Sequence, residues 1–196
     1  MHIAIILPRW VGDLVMSTPM IRAVRQHFGG DAKLTAVAKP LFQDVLAGTH
    51  WFDDFIAYDR HSKKYESRFR QAATALRSDR PDIALLVPNS LSSAALAWWG
   101  GCQRRVGYAR HGRRFLLTDP LVPLRRGWKV EVMSTAQHSM DLAEQIGVAK
   151  QPLELELATL PDDEAILESL RSSFFEGWTH NKTCPLFVFN DNAAYG

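Results

Sequence analysis

Asp13 is the residue of this 196-residue chain whose setting most readily does chemistry. It lies in Leu7-Pro8-Arg9-Trp10-Val11-Gly12-Asp13-Leu14-Val15-Met16-Ser17-Thr18-Pro19, between an apolar run that reads as a first strand and a segment with helical spacing. That junction falls at the carboxyl edge of the sheet, where open α/β folds bind their ligands. Gly12 permits a tight turn there and Asp13 emerges at the rim, where a carboxylate can take a proton from a bound hydroxyl. The same residue also fits a plainer role as a helix cap. The segment holds neither G-x-G-x-x-G nor a Walker sequence, so a dinucleotide or phosphate cradle lacks its usual signal.

Two further groups stand out. Asn89-Ser90 follows the apolar run Ile83–Val87 and reads as a polar loop facing a cleft; no G-x-S-x-G surrounds Ser90, and no His-acid pair can be assigned to it as a nucleophile's partners. Between Arg104 and Lys129 stand Arg104, Arg105, Arg110, Arg113, Arg114, Arg125, Arg126, Lys129 and His111, with Asp119 as the sole acid. Guanidinium groups pair bidentately with carboxylates and phosphates, and Arg110, Arg113 and Arg114 are the best candidates; a solvated basic loop is the alternative. The segment carries no motif that would read bases and the chain's net charge is only +2, which argues against nucleic acid. Lys39 and the group Arg60, His61, Lys63 and Lys64 read as solvent-facing, His138 as a surface or packing residue, and Trp98 and Trp99 as core or interdomain packing. Cys102 and Cys184 are too far apart for a metal knuckle, no other Cys or close His pair completes a metal set, and a reduced, cytoplasmic protein is the simplest reading.

The elements that must carry these residues alternate short β-rich runs with amphipathic segments, the pattern of an α/β domain. Candidate strands are Ile3–Leu7, Leu34–Ala38, Phe55–Ala57, Ile83–Val87 and Val106–Tyr108, in a mostly parallel sheet. The first and fourth are nearly all apolar, as strands covered on both faces must be. The first helix runs to Phe28 with Gly29-Gly30 as its stop; either Asp13 caps it, or Thr18 does with Pro19 at the first position. Further helices are expected over Ser62–Ser78, Ser92–Trp99, Val130–Ile146 and Asp162–Phe174. Met1–Leu7 reads as a strand and not a signal peptide, and no apolar stretch reaches the roughly 18–20 residues that cross a bilayer. After Pro185, Leu186–Phe189 reads as a strand and Asn190–Gly196 as a small-residue loop. The expected organisation is therefore a Rossmann-like domain over 1–180, then the first strand and loop of a second domain, cut short, over 181–196.

Three motifs carry a family resemblance. Trp10-Val11-Gly12-Asp13 followed by Met16-Ser17-Thr18-Pro19 is similar to the N-terminal signature of the bacterial lipopolysaccharide heptosyltransferases, most like the heptosyltransferase II group. Leu86-Val87-Pro88-Asn89-Ser90, the apolar run Ala94–Trp98, Gly100-Gly101 and Arg105-Val106-Gly107-Tyr108 resemble the strand, loop, helix and strand found midway through that family's first domain. Phe189-Asn190-Asp191-Asn192-Ala193-Ala194-Tyr195-Gly196 resembles the loop that opens its second domain, with Asp191-Asn192 where the family usually has Pro-Gly.

The resemblance implies the N-terminal, acceptor-binding domain of a GT-B glycosyltransferase, whose second domain holds ADP-heptose as donor. It implies an inverting transfer of heptose to the inner core of lipopolysaccharide, on a lipid A–Kdo–heptose acceptor at the cytosolic face of the inner membrane, with contact to the membrane at most peripheral. Asp13 matches the family's general base, and no cofactor or metal is required. Trp10 would stack on an acceptor sugar, Gly12, Asn89 and Ser90 would line its site, and Arg110, Arg113 and Arg114 would pair with its carboxylates and phosphates. On this reading the chain alone neither binds ADP-heptose nor turns over. The rival reading is a module that binds acidic glycolipid without catalysis.

Overall fold

The computed structural model describes residues 1–60, 65–123, 125–126, 129–130 and 133–174. Its centre is a six-stranded sheet in the order β3-β2-β1-β4-β5-β6, formed by β1 (His2–Ile6), β2 (Lys33–Ala38), β3 (Asp54–Ala57), β4 (Ile83–Leu86), β5 (Arg104–Tyr108) and β6 (Asp119–Leu121), with every pair parallel. The helices are α1 (Val11–Met16), α2 (Thr18–Phe28), α3 (Leu41–Leu46), α4 (Tyr65–Asp79), α5 (Leu91–Trp99), α6 (Thr135–Glu144) and α7 (Pro161–Phe174). A short antiparallel ladder, β7 (Arg125–Arg126) with β8 (Lys129–Val130), stands apart from the main sheet. The chain divides into two compact units, Met1–Thr159 and Leu160–Gly196. The boundary expected at 180/181 and the motif Phe189–Gly196 lie outside the described residues, as do Cys184 and the Leu186–Phe189 strand.

Alternation along β1 explains the three layers. Ile3 and Ile5 face one core with Leu14, Ile21, Val24, Leu85, Met140 and Leu142, beneath α2 and α6. Ala4 and Ile6 face the other with Ala72, Leu76, Ala94, Leu96 and Ala97, beneath α4 and α5. Successive side chains of a strand point to opposite faces, so an unbroken apolar run is what a strand between two helical layers requires. The strands align in simple register, with Ile3 beside both Leu34 and Ile83.

The structure adds to the sequence reading and corrects it. β6 was not expected: it is three residues long and contains Pro120, which an edge strand tolerates because no neighbour needs its N–H. The helix expected over Val130–Ile146 begins only at Thr135, where the Ser134 side chain accepts from the Gln137 N–H, and β8 occupies Lys129–Val130. Trp98 and Trp99 are not core residues: each is about half exposed, at 55% and 54%. The buried face of α5 belongs to Ala94, Leu96 and Ala97, and the alanines let the helix lie close to β4 and β5, leaving no slot for an indole.

Candidate functional site

The chain leaves β1 through buried Leu7 and Pro8, turns at exposed Arg9 and Trp10, and enters α1 at Val11. Trp10 is the N-cap residue, in extended conformation and with no side-chain cap bond. Asp13 is therefore not a cap. It occupies the third helical position of α1, in the first turn, half-buried, and its carboxylate has no hydrogen bond or ion pair among the described residues. N–H groups at a helix start favour a negative charge nearby, and the Asp13 side-chain oxygens are uncommitted among the described residues. Thr18 does not cap α2 either, since it lies inside that helix at its first position and the N-cap is Ser17.

Gly12 departs from expectation too. It is helical with no positive φ, and a Cβ built on it meets nothing within 4 Å. Neither turn geometry nor packing requires the glycine; what it provides is open space beside Asp13.

A buried hydroxyl network fixes α1. Ser17 Oγ donates to the Asp13 carbonyl at 2.7 Å and lies 3.2 Å from Ser139 Oγ of α6, and Ser139 Oγ donates to Thr135 O at 2.8 Å. Thr18 Oγ1 donates to Val15 O at 2.7 Å and accepts from the Glu156 N–H at 3.1 Å. Ser17, Thr18 and Ser139 are fully buried, so these bonds both satisfy the hydroxyls and hold the Asp13 turn against α6.

At the same sheet edge a cavity of about 190 Å³ opens over the carboxyl ends of β1 to β4. Arg9 follows β1, Lys39 follows β2, Tyr58, Asp59 and Arg60 follow β3, and Ser90, Ser92 and Ser93 follow β4, so three cations, one carboxylate, Tyr58 and three serines line one apolar floor. The Trp10 ring stands at this rim, 48% exposed, with the Arg9 guanidinium 4.5 Å and Lys39 Nζ 5.8 Å from its centroid. Lys39 and Arg60, which read as solvent-facing, are lining residues; Arg9, Tyr58, Ser92 and Ser93 were not singled out at all. The signal was available: each stands just beyond the end of a parallel strand or opens the helix after it. Lys63, Lys64 and His61 lie outside the described residues.

Arg113 requires the largest correction. It is completely buried, and its guanidinium donates to Tyr108 O at 3.0 Å, Ser90 O at 3.1 Å, Ser93 Oγ at 3.0 Å, Asn89 Oδ1 at 3.1 Å and Pro88 O. No carboxylate is among its partners, and burial pulls its pKa down to about 10. Arg113 is thus an internal brace for the loop after β4, with Nε, Nη1 and Nη2 each engaged inside the protein. Gly107 of the Arg-Val-Gly-Tyr motif makes room for it, since a Cβ there would stand 3.1 Å from Arg113 Nη2 and 3.3 Å from Leu86 Cβ.

The brace orders its neighbours. Because Asn89 Oδ1 accepts from Arg113, its Nδ2 is the atom facing His138 Nε2 at 3.3 Å, which makes Nε2 an acceptor and puts the imidazole proton on Nδ1. His138 stacks on Tyr108 with centroids 3.8 Å apart, and Tyr108 Oη donates to Asp141 at 2.5 Å. Burial, with Arg110 and Arg113 nearby, pushes His138 down to about 4, so it is a neutral packing residue near pH 7. Ser90 Oγ accepts from the Ser93 N–H and caps α5, so Asn89 and Ser90 spend much of their polarity internally, although Ser90 still lines the cavity. Arg110 is half-buried beside His138 and Tyr108, whereas Arg114 is exposed on the 3₁₀ turn Arg113–Leu116. Arg125, Arg126 and Lys129 have no described side chains.

The fold and this edge are those of a Rossmann-like α/β domain, a parallel sheet with its polar loops gathered at the strands' carboxyl ends, the fold expected of a GT-B N-terminal half. No family model matches the chain. Over its whole length it is 25% identical to the lipopolysaccharide heptosyltransferase 2 of Salmonella typhimurium, covering 55% of that protein, and 26% identical to the lipooligosaccharide heptosyltransferase 2 of Haemophilus ducreyi, again covering 55%. Among solved structures it superposes on E. coli ADP-heptose LPS heptosyltransferase II with a TM-score of 0.66 at 24% identity, covering 90% of this chain and 51% of that one. It superposes on a family 9 glycosyl transferase from Veillonella parvula with a TM-score of 0.76 at 18% identity, covering 92% and 50%. The chain spans about half the length of the relatives it matches, and over that half it resembles the lipopolysaccharide heptosyltransferases as its motifs implied.

Proposed function

We propose that this chain is the acceptor-side half of a heptosyltransferase that moves heptose from ADP-heptose to the lipopolysaccharide inner core, with Asp13 as general base. The observation that carries the reading is the uncommitted Asp13 carboxylate on a helical turn whose backbone carbonyl the Ser17–Ser139 hydroxyls hold at the sheet's carboxyl edge, with open space at Gly12. An acceptor hydroxyl seated beside Gly12 gives its proton to Asp13 as its oxygen attacks the donor's anomeric carbon; the carbon–oxygen bond to ADP breaks and the configuration inverts. Arg9, Lys39 and Arg60 suit the acidic sugars and phosphates of such an acceptor, and Trp10 offers it an aromatic face. Arg110 and Arg114 remain candidates for the same role, whereas Arg113 shapes the loop.

The donor's site belongs to the second domain of this architecture, and no cofactor or metal is needed for the proton transfer described. Acting on that acceptor, the protein would work at the cytoplasmic face of the membrane that holds the lipid. Titration calorimetry tests the division of labour. This chain should bind a lipid A–Kdo–heptose acceptor in detergent and give no heat with ADP-heptose. Micromolar affinity for ADP-heptose, or none for the acceptor, contradicts the proposal.

A further inference from the structure

The outer face of α5 is unusual for a surface helix. No residue of Leu91–Trp99 is charged, and Leu91, Trp98 and Trp99 are 49%, 55% and 54% exposed. Leu91, Ala95 and Trp98 follow helical spacing on one stripe, with Trp99 at its border, where its ring meets Phe69 of α4 edge-on at 6.0 Å. The 3₁₀ turn Arg113–Leu116 packs beside α5 and adds Phe115, 77% exposed, the most exposed of the large apolar side chains among the described residues. Arg113 braces that turn against the start of α5 through Ser90 O and Ser93 Oγ, so Phe115 is held next to the stripe.

Cations border the stripe on both sides. Arg114 is exposed beside Phe115. On α4, which also packs against α5, exposed Arg70 and Arg77 lie seven residues apart and so share a flank, roughly opposite Asp79, which is turned to Lys33 of β2 at 2.9 Å. The stripe also begins at the cavity: Ser90, Ser92 and Ser93 of the cavity lining bracket or follow Leu91 at the start of the same helix.

We infer that this face, Leu91, Trp98, Trp99 and Phe115 between Arg70, Arg77 and Arg114, is a docking surface for a bilayer that carries anionic lipid. Indole and phenyl side chains settle at the level of lipid headgroups, and arginines beside them pair with lipid phosphates. Self-association fits less well, because a two-fold dimer through this patch would set the same three arginines against their copies. The surface stands on its own observations. It also suits the proposed glycolipid acceptor, whose sugars would enter the cavity while its acyl chains stay in the membrane that the stripe touches.

Vesicle co-sedimentation of the 196-residue chain tests this without any reading of catalysis, so its failure would leave the Asp13 proposal standing, and the reverse. The chain should sediment with phosphatidylcholine vesicles containing phosphatidylglycerol and stay in solution with phosphatidylcholine alone. Trp98→Gln with Trp99→Gln and Phe115→Ser should weaken binding at least about tenfold, and each of Arg70→Gln, Arg77→Gln and Arg114→Gln about fivefold, less at high salt. All six side chains lie at the surface, and unchanged circular dichroism and melting confirm that the variants fold. Where the apolar triple variant melts early, quenching of the unaltered protein's tryptophans by brominated lipid gives the same answer. No binding to the anionic vesicles, binding indifferent to both sets of substitutions, or dimerisation through the patch without vesicle binding overturns the inference.

Discussion

Replacing Arg113 by methionine keeps the buried apolar stem and removes the guanidinium, which isolates the brace from the volume it fills. Five hydrogen bonds go with it, and the carbonyls of Pro88, Ser90 and Tyr108 lose a donor inside the protein. Bonds from a charged donor contribute about 1.5–3 kcal/mol each, so the gross loss exceeds about 7 kcal/mol. Against this stands the cost of burying a guanidinium with no carboxylate beside it, several kcal/mol, the same cost that draws its pKa down to about 10. The net destabilisation should be about 3–5 kcal/mol, comparable with breaking a buried charge pair from one side. For a domain of this size, 1 kcal/mol moves Tm by about 2–4 °C, so Arg113→Met should melt roughly 6–20 °C early. Exposed Arg114→Ala should stay within about 0.5 kcal/mol of the parent. Urea unfolding followed by circular dichroism measures both. An Arg113→Met protein within about 1 kcal/mol of the parent, or an Arg114→Ala protein as damaged as Arg113→Met, would refute the assignment of Arg113 to the interior.

Two further outcomes follow from the site. Gly12→Ala places a methyl in open space on a helix, so thermal stability should hold or rise by up to about 1 kcal/mol, while acceptor affinity measured by calorimetry should fall at least about tenfold if a sugar occupies that space; unchanged affinity removes Gly12 from the site. His138 is ordinarily near 6.5 and is pushed to about 4 in the folded chain, so the unfolded chain binds more protons between those values and stability must fall as pH drops through that window. Arg110 and Arg113 oppose the charge on His138 and Asp141 favours it. Urea midpoints of His138→Gln against the parent at pH 4.5 and 7 should show a clearly shallower pH dependence in the variant, and equal slopes would contradict the buried neutral imidazole.

The fold was legible because the central strands announce themselves: Ile3–Ile6 and Ile83–Leu86 are apolar without a break, and only burial on both faces accounts for that. β6 was not, because Asp119-Pro120-Leu121 has neither length nor alternation and exists only by pairing with β5. Asp13 was found from its place after β1, but its helical position depends on where Trp10 turns extended, which no local residue type dictates. Arg113 and Arg114 are indistinguishable as neighbours in a basic run. Only the long-range approach of Pro88–Ser93, with the room left by Gly107, decides that one turns inward and the other out. The core alternative for Trp98 and Trp99 fails for a related reason, since large aromatics usually fill cores, and here alanines took that face because α5 must lie close to the sheet.

The most direct test of the account is the turnover of Asp13→Asn in a protein that joins this chain to a donor-binding domain of the kind the proposal calls for. Asn keeps the shape, and loss of a charge in the first turn of α1 should cost no more than about 1 kcal/mol, so melting should be nearly unchanged. If Asp13 takes the acceptor's proton, kcat should fall by roughly 10²–10⁴-fold with acceptor KM little altered, and the low-pH limb of the rate profile should vanish. An Asp13→Asn enzyme that melts normally and keeps near-parental kcat would contradict the account at its centre.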